Sequence, residues 1–362
     1  MGQIRRIEIT QIRDFIKLEE NWKEIECGND MTAFQSFDWN KLLVEQWLSD
    51  SFNRVFSKLY IYIQMDERNH PYIIAPVFVQ KYTIGFSWVG RHKGIYILGD
   101  SSYSDYLNFI YTCVDINDLR DMISEIKQDL FDNGRVPLYL NCIREKTLLY
   151  QAIMSVQNEK YKEVKSVYIN IPQTEDEFYR SLSKHTRQNL RTARNRLEKD
   201  GKTYRMEILH GRQSGSFAKS LDEIHTKRVK SKNRNQQTDT LRKISRFFMN
   251  KHLEKKQRQY NIVVESMQSN EASYYCVVYI DNNIVGYLYG LADGKAIRIM
   301  QNCFDEEYKY YSPLFCGSYD AISTEINCAV KRYKEFDFTR GDEEYKYKLG
   351  GQEVLLGYFM VK

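Results

Sequence analysis

A chain of 362 residues, 42% hydrophobic and 14% aromatic, has ample material for packed cores, and its length fits about two domains. With only 5 Pro and 18 Gly there is no room for a long linker or a low-complexity tract, and the apolar content excludes a disordered chain. The net charge of +5 permits a phosphate-bearing partner but is met more simply by an ordinary solvated surface. In chain order, strands are predicted at Leu59–Gln64 and Tyr72–Val79, followed by a hydrophobic hairpin through Trp88 and a strand at Tyr106–Tyr111. Leu119, Met122, Ile123, Ile126 and Leu130 recur at helical spacing, so a helix is predicted from Asp118 to Phe131, stopped by Asn133-Gly134. A strand at Pro137–Ile143 closes this first group.

The second half repeats the order. Tyr274–Ile280 and Ile284–Leu291 read as a hairpin turned by Asp281-Asn282-Asn283, and Ala296–Phe304 as a further strand. A helix is predicted from Ser312 to about Lys331, with Ser as N-cap and Pro313 at the first helical position. The strand Glu335–Phe338 follows. Hairpin, strand, helix, strand, twice over, predicts an α/β protein of two similar domains, each a central mixed sheet flanked by helices. The boundary is expected near Tyr161–Lys165, before a strand at Ser166–Ile171, giving domains 1–165 and 166–362.

Two basic segments lie between the repeats. Thr174 and Glu177 form a capping-box pattern, and the helix that follows carries Lys184, Arg187, Arg191, Arg194 and Arg196 on one side and Leu182, Leu190, Ala193 and Leu197 on another. Such a row is either a solvated face or a phosphate clamp. The run from Lys227 to Arg258 includes Lys230–Gln237, a loop in appearance. Acidic and apolar residues interrupt it, so DNA binding is not expected. The seven Cys show no CxxC pair and no Cys/His cluster, so neither a disulfide framework nor a metal site is expected, and Cys303 reads as a buried thiol rather than a nucleophile. Residues 1–8 have no apolar signal core and no run is long enough to span a bilayer. A soluble, cytoplasmic protein without membrane insertion is expected.

The most informative stretch is Glu335–Gly350. Phe336 and Phe338 alternate with Asp337, which therefore faces the opposite side, and the strand runs into Arg340-Gly341-Asp342-Glu343-Glu344-Tyr345-Lys346. A buried strand delivering such a cluster at its C-terminal end is a common way to build a site. Asp342 and Glu343 are candidate bases and Tyr345 a candidate proton donor. The plainer alternative is a salt-bridged turn of Arg340, Asp342 and Lys346.

Four segments carry a family resemblance: Phe34–Trp39, Ser104–Phe109, Leu182–Arg191 with Asp200-Gly201, and Ser312-Pro313 with Phe336–Lys346. Together the chain resembles the FemABX/CelD-like branch of the GNAT acyltransferase superfamily. The resemblance implies tandem GNAT folds and transfer of an acyl group to an amine or hydroxyl. It also implies an acyl-CoA pyrophosphate resting at a helix N-terminus, here Tyr310, Tyr311, Ser312 and Leu314, without the usual glycine signature, and a pantetheine arm beside Gln301 and Asn302. Through it, Lys184, Arg187 and Arg191 would hold the diphosphate of a nucleotide-linked sugar. Trp39, Asp105, Tyr106, Arg340 and Lys346 would complete acceptor binding. The expected activity is acyl-CoA-dependent N-acylation of a dTDP- or UDP-linked amino sugar for surface polysaccharide (lipopolysaccharide or capsule). The alternative is a Fem-type aminoacyl-tRNA-dependent transferase acting on a peptidoglycan precursor. Residues 211–260 show no sustained heptads, so the coiled-coil arm of some Fem enzymes is not expected.

Overall fold

A computed structural model describes residues 3–80, 93–100, 104–130, 136–156, 160–234, 260–330 and 332–361. The chain divides into two compact units, Met1–Lys165 with Val354–Lys362, and Ser166–Glu353. The predicted hairpin through Trp88, the Asn133-Gly134 stop and most of the second basic run lie outside the described residues.

In the first unit, β1 (Ile4–Ile9) leads into helices α1 (Ile12–Ile16), α2 (Glu19–Ile25), α3 (Phe37–Ser49) and α4 (Ser51–Phe56). Then come β2 (Ser57–Met65), β3 (Pro71–Gln80), β4 (Gly94–Ile97), β5 (Ile110–Tyr111), α5 (Ile116–Asp129), β6 (Leu138–Arg144) and α6 (Leu148–Val156). α5 forms as its period predicts. Leu119, Met122, Ile123 and Ile126 are buried, and the Asp115 side chain accepts from the backbone N–H of Asn117 and Asp118 as N-cap. The strand expected at Tyr106–Tyr111 is a correction: only Ile110 and Tyr111 pair, with Ile74 and Ile73. Residues 104–111 are buried one after another rather than alternately, so they lack the two-sided character of a strand. The strand of the repeat at this place is β4, antiparallel to β3 and parallel to β6.

The chain continues through β7 (Lys162–Asn170), α7 (Glu175–Ser181), α8 (Lys184–Lys199), β8 (Tyr204–His210), α9 (Ala218–Arg234) and α10 (260–269). The last elements are β9 (Ser273–Ile280), β10 (Asn283–Ala292), β11 (Ala296–Phe304), α11 (Pro313–Asn327), β12 (Glu335–Arg340), α12 (Glu344–Lys348) and β13 (Gln352–Val361). Asp281 (φ 51°) and Asn282 (φ 63°) make a two-residue type I′ turn between β9 and β10, which is why Asp-Asn marks it.

The strand order is β1-β2-β3-β4-β6-β13 in the first unit and β8-β9-β10-β11-β12-β7 in the second. Both units are thus mixed α/β sheets on one GNAT-like plan. In each, a four-stranded antiparallel run meets a parallel neighbour across a helical crossover and ends on an antiparallel strand. The end strands are a further difference from the expected 166–362 domain. β13 pairs with β6, so the last residues belong to the first unit, while the second unit takes its end strand from Ser166–Asn170 of β7.

Candidate active site

β11 and β12 run parallel for only three pairs, Ala296–Arg298 against Glu335–Asp337, and then part. Both strands carry a cause. In β11 the register with β10 slips between Tyr289 and Gly290, which leaves Met300 as a bulge. The slip is possible because position 290 is glycine, where a Cβ would lie 1.9 Å from the Arg298 carbonyl oxygen. In β12, Thr339 takes a left-handed φ of 54°, its N–H donating to Asp337 Oδ1 and its hydroxyl to the Ile299 carbonyl. Gly341 follows at φ 113°. Among the described residues no strand pairs with Gln301–Phe304 on the β12 side, so this length of β11 offers free backbone to a ligand lying in the fork.

The fork is closed at its base by buried charge. Arg298 pairs with Asp337 at 2.8 Å, Asp293 at 3.2 Å and Glu335 at 3.3 Å. Asp337 faces this cluster while Phe336 and Phe338 enter the core, as the alternation predicts.

At the open end stands α12. The half-buried Tyr345 hydroxyl accepts from Asn302 Nδ2 at 3.1 Å. Burial, and then the negative charge of Glu343, push this phenol well above its ordinary value, so it holds its proton. Burial also pushes Glu343 up, but the hydrogen bond and charge of Lys346 outweigh it and hold the carboxyl below its ordinary range. Lys346 itself is buried. Its Nζ donates to the carbonyls of Phe338, Arg340 and Gly341 at 3.0–3.2 Å and to Glu343 at 2.8 Å. With its protons shared among these, Lys346 braces the strand end, where the expectation had it binding the acceptor. In the plainer turn reading, Lys346 pairs with Glu343 rather than Asp342. Asp342 is exposed and Arg340 half-buried at the mouth.

The helix N-terminus expected to hold pyrophosphate is α11. Ser312 enters it at φ 52°, in the conformation that favours glycine, and its side chain makes no cap bond, so the first N–H groups lack a side-chain partner there. Tyr310 and Tyr311 end a 3-10 turn docked on α8: Arg196 donates to the Tyr310 carbonyl at 2.8 Å and lies 4.3 Å from its ring, and Tyr311 donates to Asp200. Leu314 packs on the core beneath. Gln301 and Asn302 sit half-buried on opposite faces of β11.

The row of α8 arginines does not converge. Arg187 donates to the carbonyls of Tyr179, Arg180 and Leu182, the last at 2.6 Å, and so caps α7. Arg191 holds the Tyr179 hydroxyl, Arg194 the Asp320 carboxylate and Arg196 the Tyr310 loop. Lys184 is exposed in the first turn. In the first unit Trp39 is fully buried and donates to Ser104, and Tyr106 is 2% exposed under Arg144. Both are core residues there, a correction to the expectation that they face a ligand. Asp105 is 8% exposed.

Sequence reading passed over Arg228 on α9, which lay inside a basic run with no period to single it out. Its Nη1 reaches Cys303 Sγ at 3.8 Å, its guanidinium lies over Phe304, and its positive charge acts on Glu343 and Tyr345. Cys303 is 1% exposed, and burial pushes its thiol up, which does not suit a nucleophile. Among the described residues no group of His, Cys, Asp and Glu is disposed to hold a metal ion, and no helix is long and apolar enough to cross a membrane.

Residues 184–347, a little under half of the chain, match the model of the acetyltransferase (GNAT) domain. The chain is an acyltransferase. The matched segment opens at the first residue of α8 and ends in α12, so it contains the fork, the α11 N-terminus and Tyr345. Similar solved structures extend the likeness over the whole length. One is a conserved protein of unknown function from Bacteroides thetaiotaomicron VPI-5482, with 9% identity, all of both chains covered and a TM-score of 0.53. Another is the C-terminal domain of a putative lysylphosphatidylglycerol synthetase from Agrobacterium fabrum, with 10% identity, 96% and 92% covered and a TM-score of 0.52. A third is L-PGS from Bacillus licheniformis, with 12% identity, 96% and 91% covered and a TM-score of 0.50. At these identities the likeness is one of fold. No curated protein sequence matches the acyltransferase.

Proposed function

We propose that this acyltransferase moves an acyl group from acyl-CoA to the amine of a nucleotide-linked amino sugar, dTDP or UDP, in surface polysaccharide synthesis, by direct attack in a ternary complex. It would belong to the Fem-like branch, as the Ser312-Pro313 and Phe336–Lys346 segments suggest. The observation that carries the reading is the fork between β11 and β12 with Tyr345 held by Asn302 at its mouth. The residues fit the donor. The free side of Gln301–Phe304 would pair with the amide-bearing arm, and the uncapped N–H groups of α11 would receive the pyrophosphate. Acyl-CoA supplies the activated carbonyl.

The protein's own groups then have defined tasks. Asp342 or Glu343, as carboxylate, accepts a proton from the acceptor ammonium, directly or through water, and frees the nitrogen lone pair. The nitrogen attacks the thioester carbon, with backbone N–H groups of β11 stabilising the developing oxyanion. The C–N bond forms, the C–S bond breaks, the departing thiolate takes the Tyr345 proton, and the surplus proton on the new amide nitrogen passes through water to the Tyr345 oxygen and restores the phenol. The Arg187 segment is a further part of the proposal only through Lys184 and Nη1 of Arg191, whose Nε and Nη2 hold the Tyr179 hydroxyl.

The test is release of free thiol when the protein is mixed with acetyl-CoA and dTDP- or UDP-amino sugars. Thiol release that requires the sugar amine is the expected result. No release with any of them, together with transfer from aminoacyl-tRNA to a peptidoglycan precursor, would replace this reading with the Fem-type alternative.

A further inference from the structure

β8 (Tyr204–His210) is an outer strand of the second sheet, paired with β9 and, among the described residues, with no other strand. Its backbone directions follow from one bond. The Asp281 N–H donates to the carbonyl of Thr203, its partner in the extended register, and an antiparallel ladder bonds at alternate positions. The odd-numbered residues of β8 therefore bond to β9, while Tyr204, Met206, Ile208 and His210 turn their N–H and C=O groups away from it. Among the described residues no other backbone bond receives these groups. The side chains of Tyr204, Met206 and Ile208 pack on the core yet stay only half-buried, so the apolar row is also incomplete at this edge. A row of unpaired backbone groups beside half-exposed apolar side chains is a template for a further strand.

The charges on the other face of β8 decide which strand that is. Arg205 and Glu207 stand two positions apart there, their side chains 53% and 38% exposed, with Arg205 Nη1 2.9 Å from Glu207 and the guanidinium 3.8 Å from the Tyr279 ring. A second β8 brought up antiparallel about a two-fold axis must match outward-bonding residues with outward-bonding residues, which leaves a few neighbouring centres. Centred on Arg205, it sets Arg205 against Arg205. Centred on Glu207, it sets Glu207 against Glu207. Centred on Met206, Arg205 of each copy lies opposite Glu207 of the other, at a pair without backbone bonds, where side chains approach most closely. On the opposite face the same register sets Tyr204 against Ile208 and Met206 against Met206, which covers the apolar row. We propose that the second unit binds a second copy of this chain through β8, edge to edge and antiparallel about Met206, with the alternating charges of Arg205 and Glu207 fixing the register.

The test is sedimentation equilibrium of the full chain over a concentration series. Wild type is expected to form a dimer that weakens as salt is raised. Arg205→Glu would set only negative charges against one another across the axis, and Glu207→Arg only positive ones. Each variant alone is expected to raise the dimer dissociation constant about tenfold or more. An equimolar mixture of the two restores every opposite pair and is expected to give a heterodimer of near wild-type strength. The charge-swapped Arg205→Glu/Glu207→Arg protein should dimerise with itself for the same reason. Recovery in the mixture also shows that both variants are folded. A wild type that stays monomeric throughout the series overturns the proposal, whatever other strand the edge may take. So does a wild-type dimer that both single variants form equally well, or a mixture of variants that unfold at the wild-type temperature yet remain monomeric.

Discussion

Tyr345 keeps its proton because burial and the carboxylate of Glu343 both disfavour the phenolate. A donor that remains protonated suits a leaving thiolate, and a Tyr345→Phe variant is expected to lose about 10²-fold or more in kcat with KM little changed, checked by steady-state thiol release. Glu343 runs the other way. Its folded-state value lies below its unfolded one, so its stabilising pair with Lys346 is fully present above the unfolded carboxyl range and is lost as pH falls from there through the lower folded-state value. Glu343→Gln is therefore expected to lower the urea midpoint at pH 7 and to approach wild type once the pH falls below the folded-state carboxyl range. The buried Lys346 has a larger effect. Lys346→Met leaves the carbonyls of 338, 340 and 341 without their donor and is expected to cost about 3 kcal/mol in urea denaturation, several carbonyls each losing a bond.

At the level of elements, the fork exists because two neighbouring strands stop matching. Gly290 is where β11 is allowed to slip. Gly290→Ala would drive a methyl into the Arg298 carbonyl and force the ladder to re-register or open. The expected result is a loss of at least about 3 kcal/mol with loss of acyl transfer, read by thermal unfolding and thiol release. The base of the fork is held by Arg298 and its three carboxylates. Arg298→Met strands the fully buried Asp337 and is expected to cost about 3–5 kcal/mol. Adding Asp337→Leu should recover part of that loss, because the double variant no longer buries an unpaired charge. α8 shows a different use of charge. Its arginines dock it to α7, α11 and the loop before α11, so their first effect is to position the helix beside the α11 N-terminus.

For the molecule as a whole, the two units each finish their sheet with a strand from the far side of a chain crossing. Residues 354–362 belong to the first unit although they follow the second in sequence. A chain ending at Glu353 would leave β6 without its antiparallel partner and remove Leu356 and Phe359 from the first core. Limited proteolysis is expected to cut that shortened protein within 1–165 while the full chain resists, and equal resistance would show that the end strand is dispensable.

Much of this organisation was written locally. The helical spacing from Leu119 to Ile126, the Asp281-Asn282 turn and the alternation through Phe336-Asp337-Phe338 each depend on residues a few positions apart, and the elements they predict are present. The order hairpin, strand, helix, strand followed from those elements, and so did the placing of a charged cluster after β12. What the tertiary structure decided depends on distant partners. Tyr106–Tyr111 is apolar enough for a strand, but burial on every side makes it a packed segment. β13 could not be assigned to a unit before its register with β6 was known. Lys346 and the α8 arginines read as ligands for anions because a cation's sequence neighbours do not reveal which carbonyls and carboxylates the fold brings to it. Local pattern carries periodicity and capping, whereas the pairing of a buried charge or an edge strand is set by chain segments tens to hundreds of residues away.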